Sequence, residues 1–255
     1  MSASATSARS KGLLTFANST PDVDYLGMAE KTMRMASDRL GLPYTIVTSQ
    51  QSADNRRRDI DSGKIVPWKN LGRWSAYELS PYDETILLDA DYLVLTDRLL
   101  GLFESPAEYL ICHNNHFLGD VQTKRNSSYL DPVWATVLFF RKSHKAQMLF
   151  DLVKRIEKNY GYYRWAFNVL ERNYRNDYAF SMADLMLNGH TRSAMHRMPW
   201  GITTIDMPNP VIEYKDNWLV VRGPDCAHVL PCQDLHVMSK TWFANDGIDR
   251  LEGRA

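Results

Sequence analysis

Apolar residues change their spacing several times along this chain, and each change marks an expected element. Lys11 to Asn18, KGLLTFAN, is a short apolar run that reads as a first strand. Thr20-Pro21 then offers an N-cap and a proline at the first helical position, with Asp22 and Asp24 in the first turn, where acids suit the helix dipole. Tyr25, Met28, Ala29, Thr32, Met35, Ala36 and Leu40 fall near one helical face, and Gly41-Leu42-Pro43 stops that helix before a strand at Tyr44 to Thr48. A β-α-β start of this kind predicts a parallel sheet.

Further on, the polar segment Ser49 to Ser62, with Arg56, Arg57 and Arg58, reads as a solvated loop or helix face. Pro67 to Leu79 is helical after its first residues, and Pro81-Tyr82-Asp83 turns into a strand at Thr85 to Leu88. Tyr92 to Leu95 is apolar again, a Leu-rich turn runs through Phe103, and strands are expected at Tyr109 to His113 and Val133 to Phe140. An amphipathic helix follows from Ser143 to Tyr160, and helical sequence from Phe167 to Leu187 ends at Asn188-Gly189. The last quarter, punctuated by Pro199, Pro208, Pro210, Pro224 and Pro231, reads as short strands and loops. No repeat and no linker divides the pattern. The expectation is an α/β chain with a disordered leader at 1–10 and one Rossmann-like domain over 11–255, its mainly parallel central sheet flanked by helices and edged by a β-rich C-terminal part.

Composition narrows the function classes. With 255 residues and 44% hydrophobic content the chain can bury a core, and its 30 basic and 30 acidic residues leave no overall footprint for nucleic acid or anionic membrane. Cys112, Cys226 and Cys232 form no C-x-x-C pair, which argues against a disulfide framework or structural zinc and fits a reducing, cytoplasmic setting. No apolar run approaches the length of a membrane helix.

One stretch stands out chemically. Tyr82 to Leu95 reads YDETILLDADYLVL, so an apolar strand delivers Asp89 and Asp91 at its carboxyl end, where parallel α/β sheets bind ligands. On extended chain two residues apart, both carboxylates point to one side. Two such anions repel unless a cation lies between them, and hard oxygen ligands suit Mn²⁺ or Mg²⁺ with substrate phosphates completing the shell. Ala90 leaves room for a ligand to approach. An arbitrary D-x-D is most often a turn acid beside a solvated one; the strand in front of this pair favours the metal reading.

These residues resemble those of nucleotide-sugar glycosyltransferases of the GT-A fold, and most of all the glycogenin-like group, whose members carry an apolar strand, D-A-D and a second apolar run. The resemblance spans Leu13 to Trp242 and is densest from Arg73 to Phe103. It implies a basic residue ahead of the acids, here Arg73, and a nucleoside-holding turn after the first strand, here Thr15 and Asn18. It also implies a late histidine ligand and a phosphate-binding lysine, offered by His236 and Lys240 in DLHVMSK. The group's acid at the start of a late helix corresponds to Asp177. Two places depart from the group's pattern: Trp134-Ala135-Thr136 replaces its Asn-x-Gly, and no glycine separates His236 from Lys240.

What the resemblance implies is transfer of a hexosyl or pentosyl group from a nucleoside-diphosphate donor, a UDP-sugar, with retention. Asp89, Asp91 and His236 would be metal ligands. Thr15, Asn18, Arg73, Asp89, Ala90 and Lys240 would bind the donor, and Asp177 and Lys240 would be catalytic. The acceptor is open: a protein, a glycan or lipid-linked glycan, or a modified DNA base. For the last, Arg56 to Arg58, Lys124, Arg125, Arg141, Lys142, Lys145, Arg192 and Arg197, with Tyr162, Tyr163 and Trp165, are the candidate face. Two rivals stay beside this reading. One is a binding module that keeps the nucleotide pocket without transfer. The other is a haloacid-dehalogenase-type phosphohydrolase with Asp89 as nucleophile, although such enzymes place their acids on the first strand with Thr or Val where Leu93 stands.

Overall fold

The computed structural model describes residues 9–48, 56–67, 71–119, 130, 133–215 and 217–253. The expected leader at 1–10 thus lies almost wholly outside the described residues, as do Lys124 and Arg125. Strand β1 (Lys11–Phe16) leads to helix α1 (Tyr25–Leu40) and strand β2 (Tyr44–Val47), which pairs parallel to β1. The β-α-β start holds. The cap does not fall at Thr20: Asp24 caps α1 by accepting from the Gly27 amide at 3.0 Å, while the Thr20 hydroxyl accepts from the Val23 amide three residues further on. Residues 21–24 are not helical, so Thr20 stands four residues ahead of the true cap and its hydroxyl closes only a local turn. At the other end Gly41, at φ 66°, donates to the Ser37 carbonyl and closes α1, a conformation that costs glycine nothing.

Arg56 to Arg58 belong to neither loop nor helix. They form strand β3 (Arg56–Arg58), antiparallel to β4 (Ile65–Pro67) in a two-stranded hairpin. A short 3-10 turn at Arg73–Ser75 and helix α2 (Ala76–Leu79) precede β5 (Glu84–Leu88), and β6 (Tyr92–Leu93) follows the acids. Next come β7 (Tyr109–Cys112) and β8 (Asn115–Leu118), the latter unforeseen, then β9 (Trp134–Arg141) and α3 (His144–Lys158). Of the helical sequence expected over Phe167 to Leu187 only α5 (Asn176–Leu187) is helix; a separate helix, α4 (Tyr160–Ala166), comes before it, and Asn168 between the two takes a positive φ of 52°. β10 (Ile202–Ile205), β11 (Val211–Lys215), β12 (Trp218–Arg222), β13 (Ala227–Pro231) and β14 (Leu235–Val237) make the β-rich C-terminal part, which closes on the short helices α6 (Lys240–Ala244) and α7 (Gly247–Leu251).

The central sheet has the order β2-β1-β5-β9-β7 and is mixed: β9 runs antiparallel to both neighbours, so four of its five strands share one direction. Strand alternation sorts its two faces. Leu14, Leu87, Leu138 and Phe140 pack under α3 and α5 with Phe150, Val153 and Phe180. Leu13, Ile86, Leu88, Val137 and Phe139 pack under α1 with Met33, Ala36 and Leu40. Each such fully buried side chain contributes roughly 1.5–3 kcal/mol. A second sheet, β6-β14-β10-β8, lies over Met28, Ala29 and Met35 of α1 and over Trp242 and Ile248. No helix among the described residues is long and apolar enough to cross a membrane.

Candidate active site

β5 ends at Leu88, beside the carboxyl end of β1, and the chain then turns at once: the Tyr92 amide donates to the Asp89 carbonyl at 3.1 Å. Asp89 and Asp91 therefore stand on a tight turn and not on extended chain. Their carboxylates converge all the same. One oxygen of each and one ring nitrogen of His236 lie within 4.8 Å of one another.

Sheet register brings His236 here across the sequence. β14 pairs antiparallel with β6 so that His236 sits opposite Tyr92, and the Val237 amide donates to the Asp91 carbonyl at 3.0 Å. His236 Nε2 is 3.3 Å from Asp91 Oδ1, while Nδ1 meets the Thr204 hydroxyl of β10 at 3.1 Å, which fixes the ring plane. Two carboxylates and an oriented imidazole form a donor set that fits a divalent cation of the Mn²⁺ or Mg²⁺ kind.

Positive side chains flank both acids. Arg73, buried at 6% exposure, pairs with Asp89 Oδ1 and donates from Nη2 to the Ala135 carbonyl at 2.7 Å. Its turn is tied to α3, because Glu157 accepts from the Gly72 amide at 2.9 Å and from Trp74 Nε1 at 3.0 Å. Lys240 Nζ pairs with Asp91 Oδ2. Burial alone would raise the Asp91 pKa, but the Lys240 ammonium and then His236 hold it well below the usual carboxylate range. Asp91 is thus an anion at neutral pH.

One cleft is lined by Asn18, Arg73, Asp89, Ala90, Asp91, Asp177 and His236, together with Phe16, Tyr25, Arg57, Phe117, Trp134 and Arg175 among others. Asp177, in the first turn of α5, reaches to β9: Oδ1 accepts from the Ala135 amide and Oδ2 from Arg175 Nη2, both at 3.0 Å. The Ala135 peptide hence anchors Arg73 through its carbonyl and Asp177 through its amide. Trp134, where the sequence departs from the D-A-D group's pattern, stands edge-on to Phe117 at 5.1 Å between centroids and walls the cleft.

Two of the sequence-derived residues lie elsewhere. Thr15 is fully buried, with its hydroxyl donating to the Leu88 carbonyl at 2.9 Å, so it braces β1 against β5 and leaves the cleft to Phe16 and Asn18. Lys240 stands behind Asp91, in the wall of a second groove between α1, the β3–β4 hairpin and α6.

No protein-family model matches the chain, and no curated protein matches it in sequence. Several solved structures are similar to it. The glycosyltransferase GlyE of Streptococcus pneumoniae is 14% identical at a TM-score of 0.38, over 74% of this chain and 45% of its own, so the chain spans less than half of GlyE. The galactosyltransferase LgtC, in complex with donor and acceptor sugar analogues, is 16% identical at a TM-score of 0.39, over 69% of this chain and 70% of its own. A glycosyltransferase involved in glycosylation of the major capsid of PBCV-1 is 12% identical at a TM-score of 0.34, over 69% of this chain and 89% of its own.

Sequence reasoning missed Arg57, Arg175 and Thr204. Arg57 was hidden in what reads as a solvated run, and Thr204 meets His236 only through sheet pairing. Of the basic residues considered for a nucleic-acid face, several are taken up internally. Arg141 donates to Glu84 and to the Ala107 and Phe103 carbonyls, Lys142 to the Tyr77 carbonyl, and Arg192 to the Ser181 hydroxyl. Tyr162 and Trp165 of α4 are exposed. All three cysteines are free, as their spacing suggested.

Proposed function

We propose that the chain is a metal-dependent GT-A-type glycosyltransferase that moves a hexosyl or pentosyl group from a nucleoside-diphosphate donor, a UDP-sugar, to an acceptor. The observation that carries this reading is the Asp89–Asp91–His236 triangle at the carboxyl edge of the sheet, with Arg73 and Lys240 flanking it. Asp89, Asp91 and His236 would hold a divalent cation, Mn²⁺ or Mg²⁺, which would supply Lewis-acid help to the diphosphate.

The chain's own residues do the rest. As the donor's anomeric C–O bond breaks, the phosphate oxygen keeps the electron pair; Arg73, in the cleft wall, supplies positive charge beside it, and Lys240 acts from behind Asp91, whose carboxylate it pairs with. Phe16, Asn18 and Tyr25, at the end of β1 and the start of α1, receive the nucleoside. Asp177, held as an acceptor by the Ala135 amide and Arg175, faces the sugar. Pairing of Asp89 with Arg73 disfavours the phosphohydrolase alternative, which needs Asp89 free to attack phosphorus. Retention follows the resemblance, and the anomeric coupling in the product's proton NMR spectrum reads it.

A thermal-shift panel of nucleotide sugars, with Mn²⁺ or with chelator, tests the reading. A donor at a hundredfold excess over Kd adds about 2.7 kcal/mol, or roughly 5–10 °C in Tm for a chain of this size. The expected result is one such donor that stabilises only with metal and is then turned over. No shift with any donor, or full turnover in chelator, sinks it.

A further inference from the structure

The β3–β4 hairpin lines the cleft with Arg57 and bonds to three other parts of the chain. Arg57 lines it and donates from Nη2 to the Tyr25 hydroxyl of α1 at 3.4 Å. The Arg56 carbonyl accepts from Asn173 Nδ2 at 3.0 Å, two residues ahead of Arg175. Between the two strands stands Asp61, and its carboxylate reaches the C-terminal segment. Oδ1 accepts from the Ser239 hydroxyl at 2.6 Å and from the Asn209 amide at 3.2 Å, and Oδ2 accepts from the Thr241 amide at 2.9 Å.

Ser239 and Thr241 are the two chain neighbours of Lys240. Ser239 is also the N-cap of α6, accepting from the Trp242 amide at 3.1 Å, so one carboxylate grips the cap residue and the first turn together. Charge-assisted bonds of this kind are stronger than neutral ones, and the Thr241 amide is one of the helix-start donors that needs an outside acceptor. The Lys240 backbone is thereby fixed on both sides. Its four-carbon stem, flexible by nature, starts from a set position and ends, at 6% exposure, on Asp91. Asp61 lines the neighbouring groove and not the cleft, so it does not itself touch the site.

We propose that Asp61 is a positioning residue for Lys240, setting the ammonium that pairs with the candidate metal ligand Asp91; the proposal rests on the transferase reading above. A double-mutant cycle tests it. Asp61→Ala should lower kcat about tenfold and change KM by less than about threefold. In a Lys240→Ala background the same change should cost nothing more, because its effect runs through the missing ammonium. Asp61→Asn, which retains one acceptor oxygen, should recover part of the rate. Wild-type kcat in Asp61→Ala, or losses that multiply in the double variant, overturn the proposal.

A second readout needs no turnover. The rate of Lys240 reductive methylation, followed by peptide mass spectrometry in the intact folded chain, should rise about tenfold in Asp61→Ala as the side chain leaves its place. An unchanged rate overturns the positioning role whatever the activity shows. Absence of transfer by the wild type with a faster-labelled Lys240 in the variant overturns the transferase reading alone.

Discussion

Asp91 touches both Lys240 and His236, and that double contact decides what a conservative change does. Asp91→Asn keeps the volume and removes the charge, which leaves a mostly buried ammonium without its anion. Breaking one partner of a buried pair costs about 3–5 kcal/mol, and the loss of a metal ligand is expected to lower transfer by a factor on the order of 10² or more. Urea midpoint and turnover per folded molecule, measured on the same sample, separate the two effects. A wild-type rate would reduce D-A-D to a turn. Asp177 differs, since both its oxygens already accept from fixed donors. In Asp177→Asn an amide N–H₂ must face either Arg175 or the Ala135 amide, so the side chain loses one of its acceptors. Affinity for the nucleoside diphosphate alone should stay as in the wild type, because that product carries no sugar, while turnover of the intact donor falls about tenfold. Equal loss on both measurements would move Asp177 away from the sugar.

Elements bring these residues together, and Asp234 shows how. It lies fully buried one residue ahead of β14. Oδ1 accepts from the Leu95 amide at 2.9 Å and from the Thr96 amide and hydroxyl, both at 2.8 Å, while Oδ2 accepts from Arg98 Nε at 3.0 Å. β14 is thereby locked onto the segment following β6, in the register that sets His236 beside Asp91. Asp234→Ala strands several donors and should cost about 3–5 kcal/mol. Mn²⁺ affinity, titrated by EPR on the folded variant, should fall with it. An unchanged Mn²⁺ affinity would mean that strand pairing alone keeps the register. Elements with strong periodicity and clear stops were legible in sequence: β1, α1, β2, β5, β9 and α3. β8 was not, because Asn115-His116-Phe117-Leu118 has no apolar run and exists through pairing with β10. Arginine-rich β3 was hidden for the same reason, since its strand character comes from β4. In the site, Asp89 and Asp91 were legible from the strand that ends at them. Thr15 was misplaced because alternation along β1 turns it inward with Leu13, a fact that the threonine alone does not carry. Arg57, Arg175 and Thr204 gain their roles only from contacts that folding creates.

Across the whole molecule, the layers on one side of the sheet meet at a buried histidine that makes stability depend on pH. His196 stacks on Tyr109 of β7 at 4.0 Å between centroids, its Nε2 is 3.2 Å from Lys145 Nζ of α3, and its Nδ1 is 3.9 Å from Asp184 of α5. Burial and then the Lys145 ammonium push its pKa below the ordinary 6.5. The unfolded chain therefore takes up a proton as pH falls past 6.5 while the folded chain does not, so stability drops from that point down to the folded value. Asp91 acts at lower pH. Its folded pKa is depressed below 3.8, so the stability it contributes is present above that value and is lost as pH falls through the folded one. Urea midpoints followed from about pH 8 to about pH 3 should then fall in two stages. His196→Gln keeps an acceptor for Lys145 and cannot take up a proton, so it should flatten the first stage and leave the second. Asp91→Asn should weaken the second and leave the first. A first stage of unchanged size in His196→Gln would assign it to another histidine and remove His196 from the account of acid sensitivity.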